Sequence, residues 1–421
     1  MSAQFPLLIG FVLLPYSIKI SKVAPAARRA FFTEAAPLRA FLRRKDMVRI
    51  ALIGCTGSIG MQVAQVVRRY PERFRLTALA CGRGGAAFES LLAEFLPAVA
   101  LCAEGTFDAP EKVAKLAAGE EARLFEDCDV AFIAAGGFAG LKYTLLAAGA
   151  GKKIALANKE SLVCGGELVM RAVRERGIDL VPVDSEHSAL FQCLAFRRDA
   201  AFSKLVLTAS GGPFYRLSRE ELARVTAADA LRHPTWNMGA KITVDSATLL
   251  NKGYEVIEAK WLYHADFSQI EAVVHPESIV HSLVYFADGA ALAQLGYPDM
   301  RVPIQLALTY PERLPCETPL DLPKLGKLTF LPFPEEKFPC FPLAIAAGKA
   351  GGIMPTVLNA AAEEAVRAFL NGRITFPAIA ETIQDALGAV PQASAESFLQ
   401  LSEADKAARR RASKFIDTHG K

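Results

Sequence analysis

Three carboxylates in two short segments carry the most specific chemistry of the sequence. Asp184-Ser185-Glu186 follows the apolar run IDLVPV. On an extended segment residues i and i+2 point the same way, so both carboxylates converge on one point. With no thiolate or histidine pair beside them they suit a hard divalent cation, Mg²⁺ or Mn²⁺, with Co²⁺ also open. A lone D-x-E is equally the mark of a solvated loop. The segment 241–263, KITVDSATLLNKGYEVIEAKWLY, shifts that balance. From about Ser246 it reads as a helix capped by Asp245 or Ser246. Asn251 and Glu255 are then i,i+4 and Lys252 and Glu255 i,i+3, so all three share a face. A third carboxylate beside a lysine and an amide is what a metal and a phosphorylated substrate need together. The plainer reading of Lys252 and Glu255 is a surface helix ion pair.

Other segments add phosphate-binding chemistry. Thr208-Ala209-Ser210-Gly211-Gly212 follows the strand-like KLVLTAS and offers hydroxyls and backbone N–H groups to phosphate oxygens. His233-Pro234-Thr235-Trp236-Asn237-Met238-Gly239 reads as a loop, and 230–240 as a lid that excludes water. A tryptophan packed on the domain surface is the alternative. Gly54-Cys55-Thr56-Gly57-Ser58-Ile59-Gly60 stands where a first strand turns into a first helix. There glycines let a pyrophosphate approach and helix N–H groups receive it. The spacing G-x-x-G-x-x-G is less specific than G-x-G-x-x-G. The second strand ends in Ala80-Cys81-Gly82-Arg83, without the carboxylate that holds an NAD ribose; Arg83 there suits a 2′-phosphate and favours NADP.

These residues need a scaffold. Apolar runs at 48–54, 74–80, 129–137 and 152–159 alternate with helical patterns, which predicts βαβ units on a parallel sheet. The expected fold class is α/β: a Rossmann-like NADPH-binding domain over 47–184, then a central α+β catalytic and dimerisation domain over 185–310. A proline-rich linker over 311–342 leads to a C-terminal helical bundle over 343–421.

Composition narrows the function classes. Of 421 residues, 52% are hydrophobic and 22% charged, which excludes disorder as the main state. No stretch reads as a polytopic membrane span; the longest apolar run, 5–18, is short and holds two prolines. The formal charge of +4 is misleading, because residues 1–46 hold eight basic residues against two acidic ones, leaving 47–421 at −2. No nucleic-acid footprint remains. In the extension the charges follow the apolar run, unlike a secretory signal, and hydroxyl residues are few for an organellar transit peptide. Met47 opens MVRIALIG, already a strand, so an upstream start codon is the preferred reading and a transit peptide the second. Eight scattered cysteines without a C-x-x-C pair suggest reduced thiols and a cytoplasmic body.

The motifs together resemble the 1-deoxy-D-xylulose 5-phosphate reductoisomerase family. GCTGSIG (54–60), LANKESLV (156–163), PVDSEHSALFQ (182–192), TASGGPF (208–214), HPTWNMGAKITVDSATLLNKGYEVIEAKWL (233–262), HPESIVHS (275–282), AQLGYPDMR (293–301) and AGGIMPTVLNAA (350–361) carry the likeness. It covers essentially all of 47–421 and none of 1–46. The resemblance implies that Thr56, Gly57, Ser58 and Ile59 hold the NADPH pyrophosphate and that Gly82, Arg83 and Gly84 make a second contact. It places Asn158, Glu160 and Gly239 on the cofactor too. Asp184, Glu186 and Glu255 become the metal ligands. Lys159, Ser185 and Glu186 meet the substrate's hydroxyls, while Ser210, Ser246, Asn251 and Lys252 form the phosphate pocket, with His233 beside it. Lys159, Glu186, Glu255 and His233 are the expected catalytic residues, and Trp236 and Met238 belong to the lid. The implied reaction cleaves and re-forms a carbon–carbon bond of 1-deoxy-D-xylulose 5-phosphate, then reduces the aldehyde with NADPH. A homodimer is also implied.

Two positions depart from the family pattern. Cys55 replaces a serine, and Gly84 an asparagine that would reach the adenosine side. An NADP-dependent dehydrogenase of another phosphorylated substrate is the nearest rival, but it needs no three carboxylates beside a phosphate pocket. A nucleotide sensor would lack the acidic cluster, and an NTPase would carry a G-x-x-x-x-G-K-[ST] loop.

Overall fold

The computed structural model describes residues 47–195, 202–236, 238–315 and 318–420. The expectations for residues 1–46 lie outside the described residues. Seven parallel strands form the first sheet, in the order β4-β3-β2-β1-β5-β6-β7. They are β1 (Val48–Ile53), β2 (Phe74–Arg83), β3 (Val99–Glu104), β4 (Ala114–Lys115), β5 (Val130–Ile133), β6 (Lys153–Leu156) and β7 (Leu180–Pro182). Ile50, Leu52, Phe132, Ile133 and Ala155 are almost wholly buried, as expected where helices cover both faces of a parallel sheet. The crossovers are α1 (Ser58–Arg69), α2 (Ala86–Phe95), α3 (Ala139–Gly149) and α4 (Glu160–Arg176). Strand order reverses between β1 and β5, and in such sheets ligands bind outside the carboxyl ends of the strands at that point.

After β7 comes α5 (Ser185–Leu194), then a five-stranded mixed sheet in the order β11-β10-β8-β9-β12. Its strands are β8 (Phe202–Ala209), β9 (Ile270–Val274), β10 (Val280–Phe286), β11 (Ala291–Leu295) and β12 (Leu331–Pro332). Between β8 and β9 lie α6 (Ala240–Ala247) and α7 (Leu250–Tyr263). The single helix expected from about Ser246, with Asp245 or Ser246 as its cap, is therefore two helices. The first starts at Gly239, and the second follows Leu249, which adopts a left-handed φ of 58° while almost fully buried. Neither polar side chain caps a helix, because Asp245 pairs with Lys241 and Ser246 bonds to His233. Their chemistry in sequence is the same either way.

Helix α8 (Arg301–Thr309) packs against α1. The chain ends in four packed helices, α9 (Cys340–Ala350), α10 (Met354–Leu370), α11 (Phe376–Ala389) and α12 (Phe398–His419). Helix α10 is the central one, with Val357, Leu358, Ala361, Ala365 and Phe369 all buried. No helix among the described residues is long and apolar enough to cross a membrane.

Candidate active site

A cavity of about 780 Å³ opens where the carboxyl ends of the first sheet face α6 and α7. Strand β7 delivers Asp184 to its floor. Asp184 is the N-cap of α5, and its carboxylate accepts the Glu186 N–H at 3.3 Å. The two acids converge through a helix start rather than through the strand alternation expected from D-x-E. Glu255 arrives from α7, one turn after Asn251, whose Nδ2 donates to Glu255 Oε1 at 2.6 Å. Oxygens of Asp184, Glu186 and Glu255 lie within 4.8 Å of one another.

Two buried lysines compensate this charge. Lys159 Nζ lies 2.7 Å from Asp184 Oδ2 and 3.3 Å from Glu255 Oε1, and donates to Asn251 Oδ1 at 2.9 Å. Lys252 pairs with Glu255, lies 3.4 Å from Glu186 Oε1, and donates to the Thr208 carbonyl at 2.5 Å. Three carboxylates against two ammonium groups leave a net negative site of hard oxygen donors, which fits a divalent cation of the Mg²⁺ class. The surface ion pair considered for Lys252 and Glu255 is excluded, since their side chains are 4% and 1% exposed. Burial alone would raise the Asp184 carboxyl, but Lys159, then His187 and Lys252, hold it well below the usual range. Glu186 goes the other way: burial, then the Glu255 charge, pushes it up to about 7.

Hydroxyl and imidazole groups line the same cavity beside the acids. Ser210 follows β8, and its Oγ lies 3.1 Å from His233 Nε2, which is also 3.1 Å from Ser246 Oγ. His233 Nδ1 accepts the backbone N–H groups of Thr235 and Trp236 at 3.2 and 2.9 Å. That fixes the tautomer with the proton on Nε2, facing the serines. Burial lowers this imidazole to about 4. Ser185, Trp236, Met238 and Gly239 complete the lining expected for substrate and lid.

The nucleotide end is built differently. Gly54 has φ +85°, and a Cβ there would lie 2.5 Å from the Ala134 carbonyl carbon. A Cβ on Gly60 would lie 2.3 Å from Gly54 O, so only glycine closes this strand-to-helix turn. No side chain caps α1, which leaves first-turn N–H groups for an anion. Ser58 and Ile59 line the cavity; Thr56, Gly57, Gly82, Arg83 and Gly84 sit beyond its lining, at the ends of β1 and β2. This arrangement fits a dinucleotide laid across the switch point. Arg83 is 84% exposed and lies 3.5 Å from Glu104, its register partner on β3. Gly84 has a structural reason, since a Cβ there would lie 2.6 Å from the Thr106 carbonyl oxygen and an asparagine would push that loop away. Cys55 is buried and packs among apolar neighbours.

Asn158 does not line the cavity. It donates to Gly137 O at 3.0 Å and to Glu160 Oε2 at 2.8 Å, and its Oδ1 accepts the Ser161 N–H at 2.9 Å. Its part is to hold Glu160, which does line the cavity. Sequence reasoning passed over Lys241, and Asp299 and Met300 from the loop before α8, and read Asp245 only as a helix cap. Lys241 and Asp245 are an i,i+4 pair, legible only once α6 is known to begin at Ala240.

A doubly wound parallel sheet, a glycine turn at its switch point and three acids around a cation site define an NADP-type oxidoreductase that also works on a chelated substrate. Models described as 1-deoxy-D-xylulose 5-phosphate reductoisomerase and as its C-terminal domains match residues 50–166, 180–263 and 295–411. The 1-deoxy-D-xylulose 5-phosphate reductoisomerase of Geobacillus sp. (strain WCH70) is 49% identical over 377 residues, covering 86% of this chain and 98% of that protein. The solved structure of the Zymomonas mobilis enzyme in complex with NADPH aligns with a TM-score of 0.80 at 37% identity, over 89% of this chain and 100% of that one. A DOX-P reductoisomerase in complex with NADPH, fosmidomycin and magnesium gives 0.82 at 37% identity over the same shares, 89% and 100%. The chain belongs to the 1-deoxy-D-xylulose 5-phosphate reductoisomerase family.

Proposed function

We propose that this cavity carries out the NADPH- and divalent-metal-dependent rearrangement and reduction of 1-deoxy-D-xylulose 5-phosphate to 2-C-methyl-D-erythritol 4-phosphate, a step toward isoprenoid precursors. The observation that carries it is the meeting of Asp184, Glu186 and Glu255 with two buried lysines beside the Ser210–His233–Ser246 recess. Held by those three acids, Mg²⁺ or a similar ion would supply Lewis-acid stabilisation of negative charge on the substrate's carbonyl and hydroxyl oxygens.

The chain's own groups do the rest. Lys159 is held protonated: burial would lower its ammonium, but Asp184 and Glu255 raise it above the ordinary value. It orients the acids and donates to a substrate oxygen, with Ser185 and Glu186 on the neighbouring hydroxyls. Lys252 supplies the charge for the phosphate, and Ser210, Ser246, Asn251 and neutral His233 supply hydrogen bonds. That remote binding energy positions the reacting carbons against the nicotinamide. Glu160 and Gly239 border the nicotinamide end, Thr56, Gly57, Ser58 and Ile59 hold the pyrophosphate, and Gly82, Arg83 and Gly84 take the adenosine end. Trp236 and Met238 cover the bound ligands and exclude water.

Two finer readings go with this. The outer edge of β11, unpaired among the described residues and with Leu292 49% exposed, supports a homodimer built on that sheet. Seven free cysteines among the described residues support a reducing, cytoplasmic setting.

The test follows NADPH absorbance with the full chain and 1-deoxy-D-xylulose 5-phosphate, with Mg²⁺ and then with chelator. Metal-dependent oxidation of NADPH is expected. Reduction of the rearranged aldehyde without turnover of the ketose phosphate would instead indicate a plain dehydrogenase.

A further inference from the structure

Lys241 has no part in the function derived above, yet it links two sides of the cavity. It lies on the first turn of α6, behind the wall formed by Gly239, Ile242 and Asp245. Its Nζ is 2.7 Å from Asp245 Oδ2, one turn along the same helix. It is also 3.4 Å from Glu160 Oε1, on α4 at the nucleotide side. The ammonium stands over the Tyr254 ring, 5.1 Å from its centroid. The other oxygen of Glu160 accepts from Asn158 Nδ2 at 2.8 Å. Donors from two directions thus pin this carboxylate, which lines the cavity and keeps lone pairs to spare.

The ammonium balances the charge of both carboxylates. Asp245 is 3% exposed, and its Oδ1 has no hydrogen-bond partner. Without Lys241, the partly buried Glu160 and the buried Asp245 would lose the cation that both contact. Burial opposes the lysine's charge, but Asp245 and then Glu160 and Glu363 outweigh it and keep it protonated. A cation serving only Asp245 would need no reach to α4. The contact with Glu160 is the part that a purely local role leaves unused.

We propose that Lys241 is a positioning residue for the nicotinamide end of the cofactor, fixing Glu160 so that its carboxylate accepts the carboxamide N–H of NADPH. This rests on the cofactor reading above. A carboxamide is a planar, directional donor, and a carboxylate held at both oxygens cannot rotate away from it. The adenosine end is held elsewhere, by residues 54–60 and 82–84, which Lys241 does not touch. The consequence is therefore specific to one end of the cofactor.

Lys241→Met in the full chain separates the two ends. NADPH binding is read from the fluorescence of the reduced nicotinamide. Binding of 2′-phosphoadenosine 5′-diphosphoribose, the cofactor lacking its nicotinamide, is read by calorimetry. We expect NADPH to weaken about tenfold or more, the size of one lost charge-assisted hydrogen bond, with the truncated cofactor unchanged. Lys241→Arg should recover most of the loss. Equal weakening of both probes would show a merely structural role and overturn the assignment, as would unchanged NADPH affinity. A wild-type chain that binds both probes equally well would overturn the nicotinamide reading itself, whatever the variant does.

Discussion

At the metal end of the cavity, side chains from three separate elements meet: Lys159 before α4, Asp184 and Glu186 at the start of α5, and Asn251, Lys252 and Glu255 on α7. Lys159, Lys252 and Glu255 are buried and the other three partly buried, and each contacts at least one of the others. At the nucleotide end no side chain caps α1, and the fitted residues are glycines, Gly54 and Gly60, whose side chains are absent by necessity. Arg83, at the end of β2, is exposed and paired to Glu104. A binding site for a chelated, reacting molecule needs charges at fixed points. A site for a pyrophosphate needs close approach and unclaimed donors. The two ends should therefore fail in different ways when altered.

The largest effect is expected at the metal end. Glu255→Gln keeps the side chain's shape and its contact with Asn251 but removes one charge from the three-acid set. Partners outside a metal's ligand shell already cost about ten- to a hundredfold when removed, so a ligand should cost at least about a hundredfold in turnover. Metal affinity, measured by titrating turnover with Mg²⁺, should weaken, and NADPH binding should stay within about twofold. Turnover at limiting metal equal to the wild type would remove Glu255 from the ligand set.

Gly60→Ala sharpens the other side of the comparison. Its Cβ would meet three backbone atoms, Gly54 O at 2.3 Å and the Cys55 carbonyl carbon and Cα at 2.7 Å, none of which can swing aside. Overpacking of this kind costs about 1–3 kcal/mol, read by urea denaturation, and should take NADPH affinity with it. Mg²⁺ binding to the acids should be unaffected. Parallel loss of metal binding would show that the two ends are not built independently.

Much of this division is legible in the sequence, for a physical reason. Residues 50–53, IALI, are buried on both faces of a parallel sheet, which is why the run reads as continuously apolar. A strand followed by GCTGSIG reports its own turn. The break between α6 and α7 is hidden because Leu249 adopts its left-handed conformation with no glycine or proline to mark it. Missing that break hides Lys241, since its pairing with Asp245 exists only within α6. The part of Asn158 is hidden likewise. Its bonds to Gly137, Ser161 and Glu160 brace the Glu160 carboxylate, a tie that its position in the sequence does not announce. Gly84 shows the reverse limit: no sequence pattern reveals that the Thr106 carbonyl leaves no room for a side chain.

The smallest expected effect belongs to His233, which borders the phosphate recess but differs from Lys252 in carrying no charge. Burial lowers its imidazole to about 4, and its Nδ1, already accepting two backbone N–H groups, has no acceptor to offer a second proton. In the unfolded chain the ring titrates near its ordinary value of about 6.5. Between pH 6.5 and 4 the unfolded state therefore binds more protons, and this contribution to stability is complete above 6.5 and lost as pH falls toward 4. Allowing for solvent screening of a half-buried ring, the loss should be about 1 kcal/mol. The acidic residues of the metal end titrate in the same range, so the measurement is a difference: urea midpoints of wild type and His233→Asn at pH 7 and pH 5. The variant should lose less stability on acidification than the wild type. If the imidazole bound phosphate as a cation, substrate KM would fall in the wild type, and not in the variant, as pH drops from 7 to 6. A neutral Nε2–H donor predicts that the two KM profiles run parallel over that interval, leaving the charge for phosphate to Lys252.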